Sequence, residues 1–483
     1  MKKLTGLFLG AGASFEAGMP LAWELTAEIK NWLTADKLRK LNAGWRAQGS
    51  GHSDVVIEDL ASVLERPAMH YEAILGYMEA QFRRQHALRQ EYHSLYSWLV
   101  ELVYHLLYVR QVSNDTFFKR HLSAYDGFRV LADANTPLWV FSLNHDVIME
   151  AIAARLSIPI HCGFSSSTVN FARRDASGQK IGDIRAEVLT KHDLEHGAMY
   201  FPNPPQPGIY LLKIHGALDI FTFNDGQDLL KLLPDAPGQD GVMDVLRAAN
   251  EGLFYEIPGA PGGRAKALNE ICYPDNNGVM QFLRKSLLAG AFKFDARGHQ
   301  VLPKSMLKHF RENLNFVTTL VCIGYGFGDL HINVVLREWL EFSADRRLEI
   351  VSPDARDVPP FLLHLSPQVL ITASGATEYL DSRADIIRSR QEILEKRVGT
   401  ILRSLGKERA DKVIAAFHRA ERDRAGRGLL AKLRSLPVVD GKPDVSGLSD
   451  PTETAKQWAA ELKVTPEEFL QRLLEHLDEK RTN

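Results

Sequence analysis

Cysteine is scarce in this chain. Three occur in 483 residues, Cys162, Cys272 and Cys322, far apart and with no Cys-x-x-Cys pair among them. A four-cysteine structural zinc site is therefore excluded. So sparse and odd a set fits a reducing, cytoplasmic setting better than a disulfide-built secreted domain. An excess of one charge is missing too. With 58 Lys and Arg against 60 Asp and Glu the formal net charge is -2, which excludes a globally basic nucleic-acid binder but not a local patch. No basic segment leads into an apolar stretch at the start, so no export signal is expected. The most apolar segment, 95–112, is broken by Glu101, His105 and Arg110 and reads as a buried helix, not a membrane span. Glu101 and His105 would share one face of it as an ordinary polar pair. There is no Walker A loop. His192 and His196 stand one helical turn apart but lack the H-E-x-x-H order, so they read as surface polar residues, and no metal is expected.

The chain is too long for one compact domain and divides into two or three units. At 45% hydrophobic and 24% charged residues, it is composed like an ordinary globular protein. Short apolar runs suited to buried strands recur at 4–9, 138–141, 210–214, 320–323, 348–351 and 369–372. Helix-length segments lie between them. The expected fold class is α/β, with a doubly wound parallel sheet. Residues 25–130 read as a helical insertion module with 98–108 as a core helix. The Pro-, Gly- and Asn-rich stretches 163–208 and 224–278 read as loops or insertions.

After residue 380 the pattern becomes helical, so 381–483 is expected to be a separate, mainly α-helical C-terminal region. Between 386 and 435 there are 14 Lys and Arg against 6 Asp and Glu, an excess of 8. Helices restart at Asp450-Pro451-Thr452 and at Thr465-Pro466-Glu467-Glu468. The basic excess fits a nucleic-acid contact, and solvated helix faces explain it about as well.

Gly10-Ala11-Gly12-Ala13-Ser14 follows the first strand directly. Glycines there let a backbone approach a pyrophosphate, and a helix N-terminus favours its charge. Phe15 stands where the third glycine of G-x-G-x-x-G belongs, and a tight turn would use the same residues. Ser142-Leu143-Asn144-His145-Asp146 follows the second run, Ile214-His215-Gly216 the third, and Gly324-Tyr325-Gly326-Phe327-Gly328-Asp329 the fourth. Taken singly, an Asn near an Asp at a strand end caps a helix, and a His-Gly makes a turn. Each segment sits at the carboxyl end of a strand, where open parallel sheets bind ligands.

In order, these segments resemble the motifs of the sirtuin family. Gly10 to Gly18-Met19-Pro20 resembles its G-A-G-x-S-x-x-x-G-[IM]-P signature, Asn144 and Asp146 its T-Q-N-x-D, and His215-Gly216 its catalytic H-G pair. The Gly324–Asp329 loop is similar to the G-y-S-F-x-D of prokaryotic sirtuin-like defence proteins, with Gly326 in place of Ser. The resemblance covers about residues 4 to 355 and implies a Rossmann-like NAD-binding and hydrolase domain over 1–380. It also implies that Gly10, Ala11, Gly12, Ser14, Gly18, Pro20, Ser142, Gly324, Tyr325, Gly326, Phe327 and Asp329 line NAD+. Ser352 and Asp354 follow the fifth strand, where such folds commonly meet the adenosine end.

Cleaving the nicotinamide–ribose bond develops positive charge on the ribose. Asn144 suits positioning of the ribose or an attacking water, and His215 suits the general base. Asp146 suits stabilising the charge or orienting Asn144.

The departures from the family bear on the nucleophile. The zinc ribbon beside the acyl-lysine channel of the deacetylases cannot exist here. Leu143 replaces the usual Gln, and Leu21-Ala22-Trp23 the usual D-F-R. Trp23-Glu24-Leu25 instead is similar to the defence branch, whose members hydrolyse NAD+ to nicotinamide and ADP-ribose. The resemblance thus implies an NAD+ hydrolase of antiviral defence, working as a homo-oligomer or with a partner such as a DNA-translocating ATPase or Argonaute-like protein. A non-catalytic NAD+ or ADP-ribose module, an ADP-ribosyltransferase or cyclase, and a zinc-free deacylase stay open.

Overall fold

The computed structural model describes residues 4–461 apart from 114, 166, 175–178, 224–227, 252–253, 257–263, 267–269, 275–279, 286–300, 406–414, 417–418, 420–426, 429–430, 433, 440–441 and 445–450. The chain forms two units, Met1–Ile386 and Ile387–Asn483. In the first unit the strands are β1 (Thr5–Leu9), β2 (Leu138–Ser142), β3 (Ile160–His161), β4 (Thr168–Arg174), β5 (Lys180–Leu189), β6 (Ile209–Lys213), β7 (Ile220–Phe223), β8 (Asp228–Leu233), β9 (Phe254–Glu256), β10 (Arg264–Lys266), β11 (Glu270–Pro274), β12 (Met280–Lys285), β13 (Thr319–Ile323), β14 (Arg347–Val351) and β15 (Val369–Thr372).

Seven of them make one sheet in the order β15-β14-β13-β1-β2-β6-β3, with every neighbouring pair parallel. Parallel sheets are covered on both faces, which is why the inner strands read as largely apolar runs, while the edge strands β15 and β3 are only partly buried. The period of two sorts their side chains cleanly. Leu7, Leu9, Val140, Leu211 and Val321 belong to one core, which includes residues of the helices between Ala22 and Ala134. Phe8, Phe141, Leu212, Cys322 and Ile350 belong to the other, packed with Phe310 of the helix Val301–Asn313 and Leu336 of the helix Leu330–Glu341. The fold is a Rossmann-like doubly wound sheet, as the run pattern implies. The apolar segment at 95–112 lies within the helix Arg89–Ser113, and among the described residues no helix is long and apolar enough to cross a membrane.

The stretches expected to be loops or insertions supply four of the six strands of a second sheet, with β7 and β12 just outside them. Strands β11-β12-β7-β8-β5-β4 form it, antiparallel throughout. In β5 only Ile184, Ala186 and Leu189 are buried, and its other side chains are polar or partly exposed. A half-solvated strand with Gly182 in it carries too few apolar residues to stand out between loops.

The second unit, taken by itself, holds the helices Arg390–Leu405 and Pro451–Glu461 and a strand pair, Val438–Val439 with Lys442–Pro443. The pair is short beside the helices of a region expected to be mainly α-helical. Much of the basic stretch, and the helix start expected at Thr465, lie outside the described residues.

Candidate active site

Register places the four loops side by side. Leu9 pairs with Ser142 on one flank and Ile323 on the other, and Ser142 pairs with Lys213. Strands β1, β2, β6 and β13 therefore end level, and the segments after them emerge at one edge.

Gly10 leads into a short 3-10 turn, Ala11–Ser14, packed against the loop after β13. Gly10 N donates to Ile323 O at 3.0 Å, and Gly12 N donates to Gly324 O at 2.9 Å. A Cβ on Gly12 would lie 2.7 Å from Gly324 Cα, so both glycines are needed for backbone to meet backbone. Gly324 itself has φ +63, where glycine is at ease. Gly18, at φ +105, lets the chain turn beneath Phe117, and Pro20 is buried just beyond.

Asn144 is held by this first loop. Its Nδ2 donates to Gly10 O and to Ser14 Oγ, each at 2.9 Å, while its own N–H donates to Ser142 Oγ at 3.1 Å. A carbonyl only accepts, so the Gly10 contact fixes which way the amide points. Both amide hydrogens are committed, and the oxygen Oδ1 is what Asn144 offers to a ligand. Asp146 is buried beside it and accepts from Ile148 N at 3.1 Å. Burial pushes its carboxyl above the usual carboxylate range, against the opposing pull of Lys213 and hydrogen bonds from Ser14 and Ile148. Ser14, Ser142, Asn144 and Asp146 with apolar neighbours enclose a cavity of about 20 Å³. That volume suits about one water.

His215 is buried at the end of β6, with its Nε2 3.4 Å from Asp329 Oδ2, a contact that becomes an ion pair when the imidazole is protonated. Asp329 also caps the helix Leu330–Glu341, its Oδ1 accepting from His331 N at 3.0 Å. One carboxylate thus serves the helix with one oxygen and His215 with the other. Tyr325 steadies that turn by donating to Asn333 Oδ1 at 3.0 Å. Phe327 adopts φ +55, and Asn333 donates to its carbonyl at 2.8 Å. At Gly326 a Cβ would meet nothing within 4 Å. The His215 turn meets the Asn144 loop where Leu218 N donates to His145 O at 2.8 Å.

All four motif segments are therefore joined to one another. Ser352 and Asp354 stand apart: they follow β14, one strand farther out, with Ser352 half-buried and Asp354 exposed. Among the described residues no cluster of three or more His, Cys, Asp or Glu is placed to hold a metal. His192 and His196 lie exposed on the short helix Lys191–His196 with ring centroids 5.3 Å apart.

Motifs alone miss one group. Lys213, Glu150, Lys231 and Asp219 are all buried just behind the loops. Burial opposes the charge on Glu150, yet Lys213 and Lys231 outweigh it and hold that carboxyl below the usual range. Burial likewise opposes the charge on Lys231, and Asp219 with Glu150 raises its pKa well above the usual lysine range. The available signal is a single lysine inside each of two apolar runs, Tyr-Leu-Leu-Lys and Leu-Leu-Lys-Leu-Leu.

No family model matches the chain, and no curated protein matches it. It is similar to solved structures of Sir2 homologues. One, an ADP-ribose complex of a Sir2 homologue mutant, is 12% identical, with 81% of this chain and 94% of that chain covered at a TM-score of 0.32. A second, described as bearing on the mechanism and regulation of Sir2 enzymes, is 11% identical over 80% of this chain and 91% of that one, at 0.31. A third, a Sir2 homologue with NAD, is 11% identical over 79% and 88%, at 0.32. The structural neighbours are thus Sir2 homologues, all at low sequence identity.

Proposed function

We propose that this chain is an NAD+ glycohydrolase that cleaves the nicotinamide–ribose bond with water. The observation that carries the reading is the junction of the four sirtuin-like motif segments at one sheet edge, with Asn144 and His215 both buried in it. Asn144 Oδ1, oriented by Gly10 and Ser14, accepts a hydrogen bond from the attacking water or a ribose hydroxyl. As the C–N bond breaks, its electron pair leaves with neutral nicotinamide, and positive charge grows on the ribose. Asp146, which lines the same small cavity as Asn144, shares in balancing that charge. The water oxygen bonds to the ribose carbon and its proton passes to His215, whose imidazolium Asp329 then stabilises. The glycine-bearing turns Gly10–Gly12 and Gly324–Gly328 would carry the diphosphate.

Antiviral defence by NAD+ depletion, a cytoplasmic setting, a homo-oligomer or a partner such as a DNA-translocating ATPase or Argonaute-like protein, and a nucleic-acid contact by the second unit complete the proposal. They rest on the sequence alone. The test is to incubate the full chain with NAD+ and separate the products. Nicotinamide with ADP-ribose supports the hydrolase, and a cyclic or protein-linked product replaces it with a cyclase or transferase. NAD+ binding without release leaves a non-catalytic module. Neither binding nor release overturns the nucleotide site itself.

A further inference from the structure

The buried charges behind the loops take no part in the steps above. Lys213 ends β6 in register with Ser142, and its side chain is 2% exposed. Its ammonium group donates to Asn144 O at 3.4 Å and, more closely, to Asp146 O. Glu150, in the first turn of the helix Ile148–Arg155, sets Oε2 3.5 Å from Lys213 Nζ and Oε1 2.8 Å from Lys231 Nζ. Lys231, on β8, also bonds Asp219, which lies just past the His215 turn. Cation and anion alternate from one catalytic loop to the other, and none of the four side chains is more than 7% exposed.

Burying four ions is a costly way to fill a core, since apolar residues of similar volume usually do as well or better. A lysine does something they cannot: from the neighbouring strand it supplies donors to two carbonyls of a loop that turns inward, groups that burial would otherwise leave unsatisfied. We propose that Lys213 is a positioning residue. It clamps the Asn144 loop from within, and the Glu150–Lys231–Asp219 chain ties the clamp to the His215 turn, so the two loops keep one spacing. The structural half of this inference is independent of the reaction; its kinetic half rests on the hydrolase reading.

Removing Lys213 alone leaves Glu150 and Asp219 to share one lysine, so the test uses the charge-balanced double variant Lys213→Met with Glu150→Gln, which keeps the Lys231–Asp219 pair. Amide hydrogen exchange is followed by mass spectrometry beside NAD+ turnover. Segments 143–148 and 214–220 should exchange about 10-fold faster or more, with β1 and β13 unchanged. The kcat for nicotinamide release should fall about 10- to 100-fold, with KM within about threefold. Lys213→Arg, which keeps the cation, should recover part of both. Unchanged loop exchange overturns the clamp. So does faster exchange throughout the sheet, since the charges would then only hold up the fold, whereas faster loop exchange with kcat intact overturns the positioning role in turnover. Faster loop exchange in a chain whose wild type leaves NAD+ untouched keeps the clamp and removes the hydrolase instead.

Discussion

Replacing Gly10 by alanine adds one methyl group at the point where two of the site loops touch. Gly10 has φ -102 and ψ -177, extended backbone that alanine adopts freely, so the effect is purely steric. A Cβ there would lie 2.6 Å from both Gly324 O and Tyr325 Cα, and 2.9 Å from Tyr325 Cβ. Ordinary carbon contacts need roughly 3.5–4.0 Å, so the loops must part by about 1 Å. Neither neighbour is the free end of a side chain, and the bond from Gly12 N to Gly324 O at 2.9 Å resists the movement. Overpacking of this kind costs about 1–3 kcal/mol. Gly10 O also accepts from Asn144 Nδ2 at 2.9 Å, so the shift should misplace the amide. Nicotinamide release should fall about 10- to 100-fold. Gly44→Ala is the matched control: Gly44 lies inside the helix Ala35–Ala47 with nothing within 4 Å of its added Cβ. Alanine there should stabilise by about 0.5–1 kcal/mol. Urea unfolding by circular dichroism should therefore give shifts of opposite sign. A Gly10→Ala chain as stable as wild type, or a Gly44→Ala chain that loses as much, would show that no clash between the two loops governs Gly10.

Two further outcomes follow from single carboxylates. Asp329→Asn keeps an oxygen for the helix cap, so unfolding free energy should stay within about 0.5 kcal/mol. It removes the anion 3.4 Å from His215, so turnover should drop about tenfold, and an unaltered rate would remove Asp329 from the mechanism. Asp146 has its pKa raised by burial, so the stability this group contributes is complete below its unfolded value of 3.8 and is lost as pH rises through the folded value. Asp146→Asn should therefore melt higher than wild type at neutral pH and converge with it as the pH is lowered. A wild type that gains on the variant as pH rises would contradict that sign.

The central sheet is legible in the sequence because its inner strands are buried on both faces, so the strand pattern reduces to runs such as Leu-Trp-Val-Phe-Ser in β2; the two-residue edge strand β3, only partly buried, gives no such run. The second sheet is not, because strands such as β4 and β5 keep one polar side and sit among Pro- and Gly-rich turns. Asn144 and His215 can be named from motif order. What they touch cannot: the pairing of His215 with Asp329 joins residues more than 100 positions apart, and only the level ends of β6 and β13 bring them together. The glycines of the first loop read as room for a pyrophosphate, yet the contact that most plainly requires them is with Gly324. Ser352 and Asp354 are suggested by analogy with other strand ends, and strand order leaves them a strand away from the joined loops. Lys213 and Lys231 are visible as lone charges in apolar runs, but nothing local says that Glu150 lies between them.

The most direct measurement is nicotinamide release from NAD+ by the purified full chain, compared with Asn144→Ala and His215→Ala at matched folding. The wild type should release nicotinamide, and each variant should lose at least about 100-fold of that rate while still binding NAD+. Equal rates from all three chains would show that these loops are not where the bond is broken.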